Sequence, residues 1–497
     1  MSEIRFIDTT VRDGSQSLWA MNMKTSTMLS VAEQMDQAGF EAMEFFVDPM
    51  FKKYVRDLKE NPWDWIREGT KRFKKTRLRH HGGMHDAFLK TPQCIPKLLI
   101  EMLVPYGLTL TRTSDCWNDF TAVAEEIRTM QKIGMDVVLN IVYSVSPRHT
   151  DEYYARKTRE AVAVNPWRIC FKDVGGLLTP ERARTLIPII LQNAGSVAVE
   201  FHGHCSTGQA PLCYLEAARL GISILHTAVP PLANGTSQPS IFNVAKNLSL
   251  LGYTPLVDLQ PLEAVEKHLT RVAKRDGLPV GKPVEYDHSQ YLHQIAGGMM
   301  SNMRHQLKLV GMEDKMEAAL EETMRVRQDF GYPIMVTPLA QFVGIQAAIN
   351  IIVGERYKEV PDQIIQYALG HWGKEAVEVM DPDIKDRILG RSRAKDWIKW
   401  KTPEPSLQEV RKTFGANISD EELILRFYAG DEFVNALPDR GKPRAYLDAG
   451  LPLVKIIEQL AKQKTATQIY IKRPGFLIRM EGRRTVKKGG ENGCTGG

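Results

Sequence analysis

The sequence predicts an α/β chain: a (β/α)8 TIM barrel followed by a mostly α-helical C-terminal domain. Three observations carry that expectation. Eight short β-rich runs recur through the first half of the 497 residues, their starts about thirty residues apart, the length of one strand–helix unit. Capped helical segments lie between the runs. Past about residue 255 helical periodicity takes over.

The runs are, in order, "IRFIDTT", "AMEFFV", "TRLRHH", "LTLTRTS", "DVVLNIVYSV", "RICFKDV", "VAVEFHGH" and "SILHTAVP". Between them "STMLSVAEQMDQAGF" and "TPERARTLIPIILQNAG" read as helices. The second opens on a Thr cap, carries Pro in its first turn and stops at Gly. Eight such units argue a parallel barrel. A doubly wound open sheet usually has fewer strands and a Gly-rich phosphate loop, and the sequence has neither GxGxxG nor a Walker motif. Residues 1–255 are therefore read as the barrel. Residues 256–430 are read as a helical domain completing an active-site funnel, on "LEAVEKHLTRVAKRDG", "MEDKMEAALEETMRVRQDFG" and "LAQFVGIQAAINIIVGERY". "KTPEPSLQEV" reads as a Pro-rich connector. Residues 431–497 are read as a small terminal element, with a hairpin in "TATQIYIKRPGFLIRMEG" and a disordered polar tail.

Composition excludes several classes. Charged residues at 25% and a mean hydropathy of -0.27 describe a globular chain. The net charge of +6 is small for this length and partly lies in "GRRTVKKGG", a solvated run and not a nucleic-acid surface. No apolar run reaches bilayer length, so no membrane span is expected. The start "MSEIRFIDTT" lacks the pattern of a signal peptide. Cys94, Cys116, Cys170, Cys205, Cys213 and Cys494 form no CxxC pair, which fits a reducing cytoplasm.

Chemistry is expected where barrel strands end. The first strand runs into "DTTVRDGSQS", which puts Arg12, Asp13 and Gln16 in the following loop. The sixth ends at Lys172 and Asp173, the seventh at His202 and His204. The two histidines are one residue apart on a strand and so point the same way. One acid and two imidazoles are a common ligand set for a catalytic metal with open positions. Each also has a plainer reading. Asp13 can pair with Arg12 or cap a helix, Lys172 can neutralise Asp173, and two histidines can simply hydrogen-bond. A lysine at the end of an interior strand is desolvated, which favours its neutral amine. Such an amine can react with carbon dioxide to give a carbamate, an anionic oxygen ligand. The mixed N/O set suits Zn, Mn or Co.

"DTTVRDGSQSL", "FKDVGGLLTP", "HGHCSTG", "NGTSQPS", "GGMMSNMRHQLK" and "GYPIMVTPLAQFVGIQAAINIIVGERY" resemble the carboxyltransferase module of biotin-dependent enzymes. That group includes the pyruvate carboxylase carboxyltransferase domain, the oxaloacetate decarboxylase alpha subunit and the transcarboxylase 5S subunit. The likeness spans about residues 4–430. It implies a divalent metal held by Asp13, His202, His204 and a carbamylated Lys172. Arg12, Gln16 and Arg79 would order the loop or bind a 2-oxo acid and its enolate, and Thr337 would relay a proton between substrate carbon and biotin. Thr337 also suits a helix cap. No biotinylation sequence of the Ala-Met-Lys-Met type and no ATP-grasp carboxylase is found. Biotin is therefore expected in trans on a carrier protein, with a biotin carboxylase subunit as a further partner and a homodimer as the assembly.

The chain departs from the family at three places. "EFFVDPMF" stands for a Cys-Trp-Gly-Gly-type stretch, "HHGGMH" follows Arg79 where Gly-Gln-Asn or Gly-Ala-Asn is usual, and Cys205 replaces an aspartate. His80, His81 and His85 are thus new polar groups near the mouth, and Cys205 reads as a packed or a reactive thiol. Two other readings stay open: a biotin-independent lyase, synthase or decarboxylase on the same scaffold, and a non-catalytic assembly subunit.

Overall fold

The structure, a computed structural model, describes residues 2–84, 88, 90–294, 303–304, 307–438, 468–473 and 476–481. His85, Cys494, the terminal tail and most of "GGMMSNMRHQLK" lie outside the described residues. Eight parallel strands form the barrel: β1 (Glu3–Asp8), β2 (Ala42–Val47), β3 (Arg77–His81), β4 (Leu110–Ser114), β5 (Asp136–Val142), β6 (Arg168–Asp173), β7 (Val199–Gly203) and β8 (Ile224–Thr227). Each pairs with the next, and β8 returns to β1 with Phe6 opposite Leu225. A two-residue strand β9 (Thr254–Pro255) adds to the outside of β1. Every expected strand is present. Strands covered by helices outside and side chains inside are buried on both faces, and all six residues of β2 are buried.

The helix Pro180–Ala194 starts as its sequence requires. Thr179 Oγ1 accepts from the Arg182 amide at 3.1 Å, and Pro180 occupies the first turn.

The barrel interior changes character along its axis. One layer is apolar: Ile7, Ala42, Leu110, Val138, Cys170 and Ile224. Two residues further along the same strands, hence on the same inward face, stand Glu44, Arg112, Asn140, Lys172 and His226. The interior of such a barrel is normally filled by branched apolar side chains. Here its upper part is polar.

The helical region includes Gln260–Asp276, Met316–Asp329 and Leu339–Val353. The last ends at Gly354, whose φ of 76° suits a residue without Cβ. Its core gathers Phe330, Leu339, Val343, Ile365, Tyr367 and Trp372, and reaches Trp117 after β4. Arg327 ties it to the loop after β5, donating through Nη2 to Ser144 Oγ (2.9 Å) and through Nη1 to the Val145 carbonyl (3.2 Å). Arg148 and Lys157 both pair with Glu375. The helical region is thus bound to the strands' C-terminal side, where β5 ends.

"KTPEPSLQEV" is a connector only in its first half. Leu407–Phe414 is a helix, because Ser406 accepts from the Glu409 amide while the Glu409 carboxylate accepts from the Ser406 amide, a full capping box. The chain divides into two compact units, Met1–Arg444 and Ala445–Gly497. In the second, β10 (Gln468–Arg473) and β11 (Phe476–Glu481) form the expected antiparallel hairpin. Among the described residues no helix is long and apolar enough to cross a membrane.

Candidate metal centre

Asp13 follows β1 in a π-helical turn, Thr10–Gly14. Such turns recur at functional sites because they displace a side chain from the regular helical face. Gly14, which ends the turn, lets it close on the loop after β8: a Cβ there would lie 2.8 Å from the Leu232 carbonyl oxygen. His202 lies in β7 and His204 just beyond it. Asp13 Oδ2 is 3.2 Å from His202 Nε2 and 3.7 Å from His204 Nε2, and the two imidazole nitrogens are 3.1 Å apart. All three side chains are buried.

Hydrogen bonding fixes what His204 presents. Its Nδ1 is 2.6 Å from the Thr236 carbonyl oxygen, which can only accept, so Nδ1 carries the proton and Nε2 is a lone pair turned toward Asp13. Burial and the Arg112 charge hold His202 well below the usual imidazole range, and burial lowers His204 against the pull of Asp13. Burial alone would raise Asp13, but Arg12, His204 and His202 outweigh it and keep its carboxyl well below the usual range. The cluster is therefore a carboxylate with two neutral imidazoles, the protonation state that binds a divalent cation. Gln238 Nε2 reaches the same point, 3.3 Å from Asp13 Oδ2, 3.3 Å from His202 Nε2 and 3.0 Å from His204 Nε2.

Lys172, at the end of β6, is directly beside His202 in the sheet register. Its side chain makes no hydrogen bond or ion pair among the described residues. Burial lowers its amine to about 8, with Arg112 adding repulsion. Asp173 does not neutralise it. The strand's alternation turns that carboxylate the other way, where it accepts from the Leu177 and Leu178 amides (2.9 and 2.8 Å). Gly176 makes this loop possible: at φ +66° its Cβ position would be 2.5 Å from the His204 carbonyl oxygen. The chemistry of the donor set fits a hard or borderline divalent ion, with Asp13, His202 and His204 as ligands and Lys172 at hand.

Arg12 is held by Glu44, donating through Nε to Oε2 (2.7 Å), and reaches Asp13 Oδ2 at 3.0 Å. Its remaining arm points to Gln16 Oε1 at 3.4 Å, and Gln16 itself is exposed. Thr337 is also exposed, two residues ahead of the helix Leu339–Val353, and makes no side-chain cap there. No hydrogen bond among the described residues joins it to the cluster.

Arg79 departs from expectation. It is fully buried, and both terminal guanidinium nitrogens engage Glu200 at 2.8 Å, which commits them to the barrel interior, while its Nε has no hydrogen-bond partner among the described residues. Two residues on, the same inward face of β3 carries His81. Its Nδ1 is buried without a hydrogen-bond partner among the described residues. Burial and then the Arg12, Arg112 and Lys172 charges keep this imidazole neutral. His80 faces outward and bonds Asp48 Oδ1 at 2.6 Å. Cys205 is buried, and burial pushes its thiol far up, so it is packed and unreactive.

Sequence reasoning passed over Glu44, Arg112, Glu200, His226 and Gln238. The available signal was a charged residue at an inward position of an otherwise apolar strand, as Glu44 is in "AMEFFV".

Known proteins agree with this architecture. Residues 3–269 match an HMGL-like family model, and residues 291–439 match one described as a conserved carboxylase domain. A pyruvate carboxylase subunit from Methanocaldococcus jannaschii is 34% identical over 391 residues, covering 78% of this chain and 68% of that protein. The 2-oxoglutarate carboxylase large subunit of Hydrogenobacter thermophilus is 28% identical over 438 residues, covering 85% and 66%. The carboxyl transferase domain of Rhizobium etli pyruvate carboxylase, solved with pyruvate, superposes with a TM-score of 0.77 at 21% identity, over 87% of this chain and 77% of that one. With the barrel and the helical region both matched, the chain belongs to the carboxyltransferase family of biotin-dependent enzymes.

Proposed function

We propose that this chain transfers a carboxyl group between carboxybiotin, borne on a separate carrier protein, and a small 2-oxo acid. The observation that carries the reading is the meeting of Asp13, His202 and His204 beside the unpaired Lys172. A divalent cation (Zn, Mn or Co) held there would supply a Lewis acid for the oxo oxygen and so stabilise the enolate. The neutral form of the Lys172 amine, made more accessible by its lowered pKa, would add to carbon dioxide and lose a proton to become a carbamate, a fourth donor and the second anionic oxygen beside Asp13. Arg12, locked by Glu44, aims Asp13 and sets one cationic arm at Gln16, where a substrate carboxylate can bind. His81 offers its unpaired nitrogen to the same pocket. Arg79 supports the ligands from below. Thr337, with a hydroxyl that both donates and accepts, carries the proton between substrate carbon and biotin. A biotin carboxylase subunit, a homodimeric assembly and a cytoplasmic setting complete the proposal. The pyruvate and 2-oxoglutarate named for its relatives make pyruvate-sized and longer oxo acids the substrates to compare.

The test joins metal analysis to oxaloacetate decarboxylation with and without free biotin. About one divalent ion per chain and turnover stimulated by biotin are expected. Turnover indifferent to biotin would favour the lyase or decarboxylase reading, and a protein with neither metal nor turnover would be the assembly subunit.

A further inference from the structure

His202 does not end at the cluster. Its Nδ1 lies 3.1 Å from Nδ1 of His226, whose Nε2 lies 2.9 Å from Glu200 Oε2. Glu200 in turn receives both arms of Arg79 at 2.8 Å, and Arg168 Nη1 at 3.3 Å. The four side chains Arg79, Glu200, His226 and His202 are all buried in the barrel interior.

The direction of every proton in this chain is determined from its far end. A carboxylate gripped bidentately by an arginine is an acceptor only. His226 Nε2 must therefore be the N–H, which leaves His226 Nδ1 a lone pair. The two Nδ1 atoms of His202 and His226 are 3.1 Å apart with no other donor between them among the described residues, so His202 Nδ1 is the N–H; the equally close Nε2 atoms of His202 and His204 instead have the Gln238 amide as their donor. The lone pair of a neutral His202 then falls on Nε2, the atom facing Asp13 and His204. We propose that Arg79, Glu200 and His226 form a buried relay that fixes the tautomer of His202 and so presents its Nε2 to a cation. His226, Glu200 and Arg79 are positioning residues, not catalytic ones.

The same reading explains two other close groups of ligand atoms. Glu44–His202–His226 and Cys170–Glu200–His226 each fall within 4.8 Å, yet both nitrogens of His226 are already used, one as donor and one as acceptor. Neither is a second metal site. The relay does for His202 what the Thr236 carbonyl does for His204 by a single bond. Outer partners of this kind orient a ligand and raise its basicity.

The inference rests on the metal reading above, so its test keeps the two apart. In wild-type protein stripped of metal and labelled with 15N-histidine, NMR should find His202 protonated on Nδ1 and His226 on Nε2. His202 protonated on Nε2 would overturn the relay whatever the protein binds. With Mn2+ alone, titrated against a chromogenic chelator, His226→Phe should weaken binding by about 10- to 100-fold. His226→Asn, whose amide oxygen stands near the lost Nδ1 and can still accept from His202, should recover most of that loss. Equal Mn2+ affinity in wild type and His226→Phe would overturn the relay while leaving the metal site intact. If His226→Phe does not fold, the wild-type NMR spectrum and the Asn variant decide. A wild type that binds no Mn2+, Zn2+ or Co2+ would instead sink the metal reading.

Discussion

The mouth of the barrel and the interior just beneath it contain the same residue types at similar spacings, with different partners. In the interior two carboxylates each meet two arginines: Glu200 is met by Arg79 and Arg168, Glu44 by Arg12 and Arg112. At the mouth, Asp13 shares Arg12 with Glu44, and among the described residues the two imidazole Nε2 atoms have only the amide of Gln238 as a donor. Buried charges are tolerated when paired and costly when not. The interior carboxylates are therefore each paired with arginine charge, while at the mouth two imidazole nitrogens converge on Asp13 with no cation bonded to them among the described residues. Closeness of ligand atoms does not by itself make a metal site. What distinguishes the mouth is a set of converging acceptor atoms whose imidazole nitrogens have no cation bonded to them among the described residues.

The sharpest way to break this contrast is to delete one potential ligand from each region. On the proposed function, His204→Ala should abolish divalent-ion binding and lower decarboxylation by about a thousandfold, the scale on which loss of charge stabilisation in a transition state acts. Cys170→Ala, from the interior group, should keep the metal. Metal content after gel filtration reads both, and equal loss from the two variants would erase the distinction.

A smaller effect is expected on stability. Arg112→Met takes one of two arginines from Glu44, whose carboxyl is raised by burial but held down by Arg112 and Arg12. Removing one partner of a buried pair costs about 3 kcal/mol, measured by urea unfolding. A loss too small to measure would mean that Arg12 alone satisfies Glu44.

Much of this contrast could be read from sequence, and the part that could not has a definite cause. Strands announce themselves through period and burial on both faces. The candidate ligands Asp13, His202 and His204 stand out because acids and imidazoles at strand ends have few structural uses. The helix after Ser406 is written in its S-x-x-E pattern but masked by the two prolines that precede it. The partners of the ligands were not readable. Glu44, Arg112, Glu200 and His226 meet only because strands distant in sequence close into one cylinder, and no local pattern records which inward residue faces which. The exchange between Arg79 and His81 has the same origin. Alternation puts both on one face of β3, and only the stagger of the closed barrel decides that Arg79 meets Glu200 while His81 reaches the level of Lys172.

His81 supplies the smallest and most discriminating test, because it sits where the two regions join. Its neighbours Arg12 and Arg112 are committed to Glu44, whereas its own Nδ1 has no partner among the described residues. If it were an interior residue, replacing it would cost stability and leave substrate binding alone. As a mouth residue it should do the reverse. His81→Ala is expected to raise KM for the oxo acid about tenfold, the worth of one hydrogen bond to a charged ligand, with kcat and urea midpoint nearly unchanged. Arg79→Met should show the opposite pattern, losing stability through the abandoned Glu200 charge. Matching changes in the two variants would mean that both residues serve one region, and the boundary drawn between mouth and interior would have to move.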